Sequence, residues 1–205
     1  MDRRELLQYG LIAPLAANAA GPSVVRAGIL GTRHSHTTGK LKAMQDSPDY
    51  EVVGVCENDA AGKARAEKDP RFKGLRWMGE EELLRDSSIH LIVVECSVWE
   101  ALPLGAKVIA AGKHLHIEKP PGNKWEPFKE LVEEARRKNL LLQTGYVWRW
   151  HEGVNAALDA ARKGWLGEVH MIRGTMNADR DSEQRAVEAK YRGGGLFELG
   201  GHVID

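Results

Sequence analysis

A chain of 205 residues in which 29 basic side chains balance 29 acidic ones has no long-range field to draw it to nucleic acid or anionic lipid, so small-molecule chemistry is expected. Hydrophobic residues make up 42% of it, and no apolar run approaches the roughly 20 residues that span a bilayer, so no permanent membrane span is expected. Domains commonly run to about 100–200 residues, which predicts one complete domain plus a remainder.

The first twenty residues differ in texture from the rest. Arg3-Arg4, Leu6-Leu7, a mild apolar stretch from Leu11 to Ala17 and the tripeptide Ala17-Asn18-Ala19 resemble a twin-arginine export signal over 1–20. On that reading the mature chain starts near Gly21 and works in the periplasm, already loaded with any nucleotide it needs. The alternative is a cytoplasmic protein with an N-terminal helix, since Asp2 and Glu5 dilute the basic end.

From Val24 onward, apolar runs at 24–30, 51–55, 75–78, 90–95, 114–118 and 140–145 are separated by helix-like stretches at 38–45, 59–68, 80–85, 101–111 and 126–138. This alternation predicts an α/β domain over 23–146, a doubly wound parallel sheet of the Rossmann type. Cys56 and Cys96 each close an apolar run and are read as buried strand-end residues, neither a disulfide nor metal ligands. Past Tyr146 a helix is expected over 154–163, closed by Gly164, then a strand over 168–176 and an irregular crossing over 177–192. A glycine-rich segment, GGGLFELGGHVID, follows. Residues 147–205 therefore read as the beginning of an incomplete α+β domain.

Three places could carry chemistry. The first strand runs into Gly31-Thr32-Arg33-His34-Ser35-His36, where a Rossmann fold places its phosphate loop. Gly31 fits the first glycine of G-x-G-x-x-G, but Arg33 and His36 stand at the second and third; Arg33 either covers a diphosphate or pushes the nucleotide away. Glu57 closes the second strand about 26 residues after Gly31, the spacing at which an acid meets the adenosine ribose, which favours NAD over NADP; the alternative is a solvated strand end. Third, Glu118-Lys119-Pro120 ends an expected fifth strand, at the edge where open α/β sheets bind ligands. A desolvated Lys119 there could share a proton with a substrate hydroxyl. His34-x-His36 and His114-x-His116 show no third ligand at recognisable spacing, so no metal is expected. Trp148-Arg149-Trp150 could stack a sugar ring or simply pack between domains.

Taken in order, EELLRDSSIHLIVVEC, AAGKHLHIEKP, LLLQTGYVWRW, Trp165-Leu166-Gly167-Glu168 and GGGLFELGGHVID resemble the landmarks of the Gfo/Idh/MocA oxidoreductases, across 24–205. The resemblance implies that Lys119 contacts the nicotinamide ribose and the substrate hydroxyl. It implies that His202 is the acid/base, that Glu198 stands for its aspartate partner on the same helical face, and that Pro120 follows a cis peptide. The expected cofactor contacts are Gly31, Thr32, Arg33, His34, Glu57, Ser97, Glu118 and Lys119. Departures are Glu for Asp at 198, Ser97-Val98-Trp99-Glu100 in place of a Pro-Asn-x-x-His type loop, and Arg33.

The implied activity is hydride transfer between a sugar-like or cyclic polyol hydroxyl and a nicotinamide cofactor. Alternatives are a redox-neutral NAD-dependent lyase or glycosidase, or a truncated, non-catalytic nucleotide-binding protein. Family members continue past the position of Asp205 into an open sheet that forms the substrate wall and a dimer face, so a homo-oligomer is expected only where that domain is complete. If the twin-arginine reading holds, Arg3→Lys/Arg4→Lys retains the protein in the cytoplasm, and cell fractionation of a bacterial host shows it; unchanged periplasmic recovery would remove the assignment.

Overall fold

A computed structural model describes residues 24–190 and 192–205; the 1–20 segment, expected to be a twin-arginine signal, lies outside the described residues. The first part is built from β1 (Val25–Leu30), α1 (Thr37–Asp46), β2 (Tyr50–Cys56), α2 (Ala60–Ala66), α3 (Glu80–Arg85), β3 (Leu91–Val94), α4 (Val98–Ala110), β4 (His114–Ile117), α5 (Trp125–Arg137) and β5 (Leu142–Thr144). The five strands are parallel in the order β2-β1-β3-β4-β5. This is the doubly wound Rossmann arrangement, and strand order reverses between β1 and β3, where such sheets open a crevice at their carboxyl ends.

Hydrophobic side chains alternate across the pleat because both faces are covered. On one face Leu30, Ile92, Val94, Leu115 and Ile117 pack with Val108 and Ile109 of α4 and Leu131 of α5. On the other, Ala27, Ile29, Val55 and Val93 meet Leu41 and Met44 of α1 and Phe72. Cys56 and Cys96 are free and buried within the first cluster.

The apolar run at 75–78 is not a strand. It makes a single bridge to the edge of β2, Val55 with Trp77, through Val55 N–H to Arg76 O at 2.8 Å and Met78 N–H to Val55 O at 2.9 Å. Glu118 and Lys119 consequently follow the fourth strand, not the fifth.

Beyond β5 come a 3-10 turn (Val147–Trp150), α6 (Glu152–Arg162), α7 (Ser182–Glu188) and α8 (Gly194–Ile204). Residues 168–176, expected as a strand, have no strand partner among the described residues, and Met171 and Ile172 are 77% and 85% exposed. Extended backbone becomes a strand only when a neighbour takes its hydrogen bonds. The expected irregular crossing contains α7, nucleated by a reciprocal cap: Asp181 accepts from Gln184 N–H at 2.8 Å, and Gln184 accepts from Asp181 N–H at 3.2 Å. Arg149 clasps Asp205 with two hydrogen bonds of 2.7 and 2.8 Å, tying the end of α8 to the 3-10 turn. No helix among the described residues is long and apolar enough to cross a membrane.

Leu115 is 1% exposed at the centre of the larger cluster. Leu115→Ala should cost about 2–5 kcal/mol, read as a shift of the urea midpoint at constant m; a shift equivalent to less than about 1 kcal/mol would mean that this layer does not hold the sheet together.

Candidate functional site

The loop after β1 is shaped by the carboxyl end of β3. Gly31 has φ of 93°, and a Cβ there would stand 2.7 Å from Glu95 O, so only glycine lets the chain turn. Arg33 N–H and His34 N–H then donate to the same carbonyl at 3.1 and 3.3 Å, and α1 begins at Thr37. The loop thus folds back on the tip of β3 with its amides bonded to the chain, and what faces the crevice is the N-terminus of α1.

Glu57 closes β2 and is not a solvated strand end. Its side chain is 1% exposed, and its carboxylate is spent on its own chain. Oε2 accepts from Thr32 N–H at 2.7 Å and Thr32 Oγ1–H at 2.9 Å, while Oε1 accepts from Asp59 N–H at 2.9 Å. It braces the 31–37 loop from the wall of the crevice. Arg33 lies across the crevice, with Nη2 2.5 Å from Glu100 and Nε 3.5 Å from Glu57. Ser97, at the N-cap of α4, hydrogen-bonds the same Glu100 carboxylate. A cavity of about 170 Å3 lined by Gly31, Arg33, Glu57, Asn58, Trp99 and Glu100 opens at this point.

A second group of charges sits under the loop. Glu95 and Glu118, at the tips of β3 and β4, have side chains 0% and 4% exposed. Lys40 of α1 reaches both, 2.7 Å from Glu95 Oε1 and closer still to Glu118 Oε1. His36 Nδ1 lies 3.1 Å from Glu118 Oε1, and Glu118 Oε2 accepts from the Lys119 N–H at 2.5 Å. Burial would raise the Glu118 carboxyl, but the His36 hydrogen bond and Lys40 outweigh it and bring it down to about 2. Glu95 goes the other way, with burial prevailing over Lys40 and raising it to about 6. Gly145 belongs to this group too, since a Cβ there would meet both Glu118 oxygens at 2.7 Å.

Lys119 is 4% exposed and follows β4, with the expected cis peptide before Pro120. Its Nζ pairs with Glu198 of α8. One turn later His202, 8% exposed, packs edge-on against Tyr146 with ring centroids 5.6 Å apart, and its Nδ1 has no hydrogen-bond partner. Glu198 and His202 share a helix face as expected, yet the acid holds the lysine. Burial and then the charge of Lys119 push the His202 imidazole below its ordinary value, which favours its neutral form. An open cleft of about 320 Å3 runs beside this cluster, bordered by His34, Ser97, Trp99, Arg180, Gln184 and Glu198.

Folding supplies the third ligand atom that the sequence lacks for His34 and His36: Glu118 comes within 4.8 Å of both, and Glu95, His116 and Glu118 form a similar group. Lys40 already holds Glu118 Oε1, the oxygen that faces His36. Trp148 stacks on His151 at 5.4 Å and Trp150 is 72% exposed; neither borders the cleft described above. Sequence reasoning missed Lys40, Glu95, Glu100 and Tyr146. An acid at the tip of each of two neighbouring buried strands was the available signal, because such a pair demands a cation.

Residues 25–146 match the family described as an oxidoreductase family with an NAD-binding Rossmann fold. The chain belongs to the Gfo/Idh/MocA oxidoreductases. A dTDP-3,4-didehydro-2,6-dideoxy-alpha-D-glucose 3-reductase of Saccharopolyspora spinosa is 29% identical over 180 residues, covering 86% of this chain and 53% of its own length. A trans-1,2-dihydrobenzene-1,2-diol dehydrogenase of Oryctolagus cuniculus is 28% identical over 166 residues, covering 80% and 49%. The chain spans about half the length of the curated relatives it matches. Among solved structures, the Yersinia pestis oxidoreductase YPO2259 superposes with a TM-score of 0.68 at 25% identity, covering 91% of this chain and 52% of that one. The 3-ketoreductase KijD10 of Actinomadura kijaniata, solved with TDP-benzene and NADP, superposes with a TM-score of 0.59 at 22% identity, covering 69% and 44%; the likeness is one of fold.

Within this Gfo/Idh/MocA loop, His34 is the imidazole most displaced from ordinary behaviour: burial, against the opposing charge of Glu118, lowers it to about 4. The unfolded chain therefore takes up a proton below about pH 6.5 that the folded one refuses. His34's contribution to stability is complete above that pH and is lost as pH falls through 4. An NMR titration of the ring should show a midpoint near 4, and His34→Gln should flatten the acid limb of the stability profile; a midpoint near 6.5 would refute the burial argument.

Proposed function

We propose that this chain seats a nicotinamide dinucleotide along the 31–37 loop, and that Lys119 and His202 handle the proton of a carbohydrate or polyol hydroxyl in a dehydrogenase or reductase reaction. The observation that carries this reading is the convergence of Lys119, Glu198 and His202 at the carboxyl edge of the sheet, beside that loop. Family membership and relatives named as a sugar-nucleotide reductase and a dihydrodiol dehydrogenase support it. A bound dinucleotide would supply the hydride acceptor or donor at nicotinamide C4.

The residues fit such a group. Gly31 lets the chain turn at the crevice, the N-terminus of α1 favours a diphosphate, and the Arg33 guanidinium can exchange Glu100 for a phosphate oxygen. NAD is the proposed cofactor in preference to NADP, because a 2'-phosphate entering here would meet Glu57 and Glu100 against one guanidinium. The Lys119 ammonium, oriented by Glu198, donates a hydrogen bond to the substrate oxygen and steadies charge developing on it. The neutral His202 imidazole takes the hydroxyl proton on oxidation and returns it on reduction.

The test is a fluorescence titration with NADH and NADPH, followed by a turnover assay over a panel of polyols and sugars. NADH should bind more tightly, and Glu100→Gln should narrow the gap between the two. Lys119→Met should lower kcat by about 10²- to 10⁴-fold, with a much smaller loss of NADH affinity. Undiminished turnover in that variant would sink the role given to Lys119. Tight NADH binding without turnover of any panel member would reduce the assignment to nucleotide binding.

A further inference from the structure

The charges under the loop include one that the proposed proton transfer does not use. Lys40 lies in the first turn of α1, and its ammonium touches Glu95 and Glu118 together. The other polar groups around this pair are accounted for. His36 is hydrogen-bonded to Glu118, His34 Nδ1 is 3.8 Å from Glu95 Oε2, and Thr37 Oγ1 is 3.4 Å from the same oxygen. His116 shares the neighbourhood of both acids, and Lys119 meets Glu118 through its backbone N–H. The Lys119 ammonium is turned to Glu198. Of these groups, Lys40 is the permanent cation that contacts both carboxylates.

We propose that Lys40 is the internal counter-ion of the dinucleotide site, a positioning residue that lets an anionic diphosphate settle at the start of α1 and keeps the Lys119 backbone in place. The proposal rests on the dinucleotide reading above. Two consequences follow from the geometry. First, the positive end of α1 is useful to a phosphate only if it is not already facing uncompensated acid. Without Lys40, two buried carboxylates would lie beneath that terminus, where a low dielectric makes their repulsion of a diphosphate strong. Second, Glu118 accepts the Lys119 N–H only as a carboxylate pointed at it, and Lys40 on its other oxygen holds that orientation. Glu95 uses its backbone carbonyl for Arg33 and His34 and its side chain for Lys40, so the same ion pair reaches the phosphate loop.

The two acids are close enough to share Lys40, so removing it should drive them to share a proton instead. The distinguishing readout is therefore pH. NADH binding to the full chain is titrated by fluorescence at pH 5.5 and 8, each variant being compared with the unaltered chain at the same pH. Lys40→Met should weaken binding by about tenfold or more at pH 8 and by less than about threefold at pH 5.5, where the pair carries its proton. Lys40→Met/Glu95→Gln, which restores the net charge without restoring the ion pair, should recover affinity at pH 8 to within about threefold.

A Lys40→Met variant that binds as the unaltered chain does at both pH values would overturn the proposal. So would a loss that is the same at both and is not recovered by the double variant. Should Lys40→Met fail to fold at pH 8, the double variant decides: folded by circular dichroism and binding NADH, it supports the counter-ion role; folded and not binding, it refutes it. An unaltered chain that does not bind NADH would overturn the dinucleotide reading itself, which separates the two failures.

Discussion

Two carboxylates are buried side by side at the carboxyl edge of the sheet, and one ammonium lies between them. Burying an acid without a partner costs several kcal/mol, so the Lys40 bridge to Glu95 and Glu118 is a condition for this edge to exist in its present form. Everything nearby refers to it. The phosphate loop hangs from the Glu95 carbonyl, the Lys119 amide points at Glu118, and Gly145 leaves the space that the Glu118 oxygens fill. The sheet supplies rigidity, and the ion network turns that rigidity into the placement of particular groups.

A second network crosses the opposite side of the crevice. Glu57 braces Thr32 from below while Arg33 spans to Glu100. An acid at the end of β2 is ordinarily read as a cofactor-selecting residue, but here its lone pairs go to the chain itself. Glu57 thereby shapes the same crevice wall that Arg33 and Glu100 close.

The fold was legible because its signals are local. The runs VRAGIL and LIVV, with helical stretches between, carry the parallel sheet in their periodicity, and Gly164 marks the end of α6. LRWM was misread because an apolar tetrapeptide does not reveal how many strand neighbours it will meet. Residues 168–176 have strand-like composition but no partner, which no local pattern can report. The candidate site is half legible: Lys119, Glu198 and His202 are expected to act together, and the structure brings them close to one another. The pairing of Glu198 with Lys119 and the inward turn of Glu57 were not visible, because they depend on contacts across 79 and 25 residues. Lys40, separated by 55 residues from Glu95 and 78 from Glu118, had no signature beyond its charge on a helix.

The unpartnered run at 168–176 has a consequence for handling in solution. No strand of the sheet pairs with it, and the side chains of Val169, Met171 and Ile172 are exposed. Apolar side chains left open in this way favour association. Concentration therefore bears on how these side chains are covered, independently of the stability of the Rossmann core.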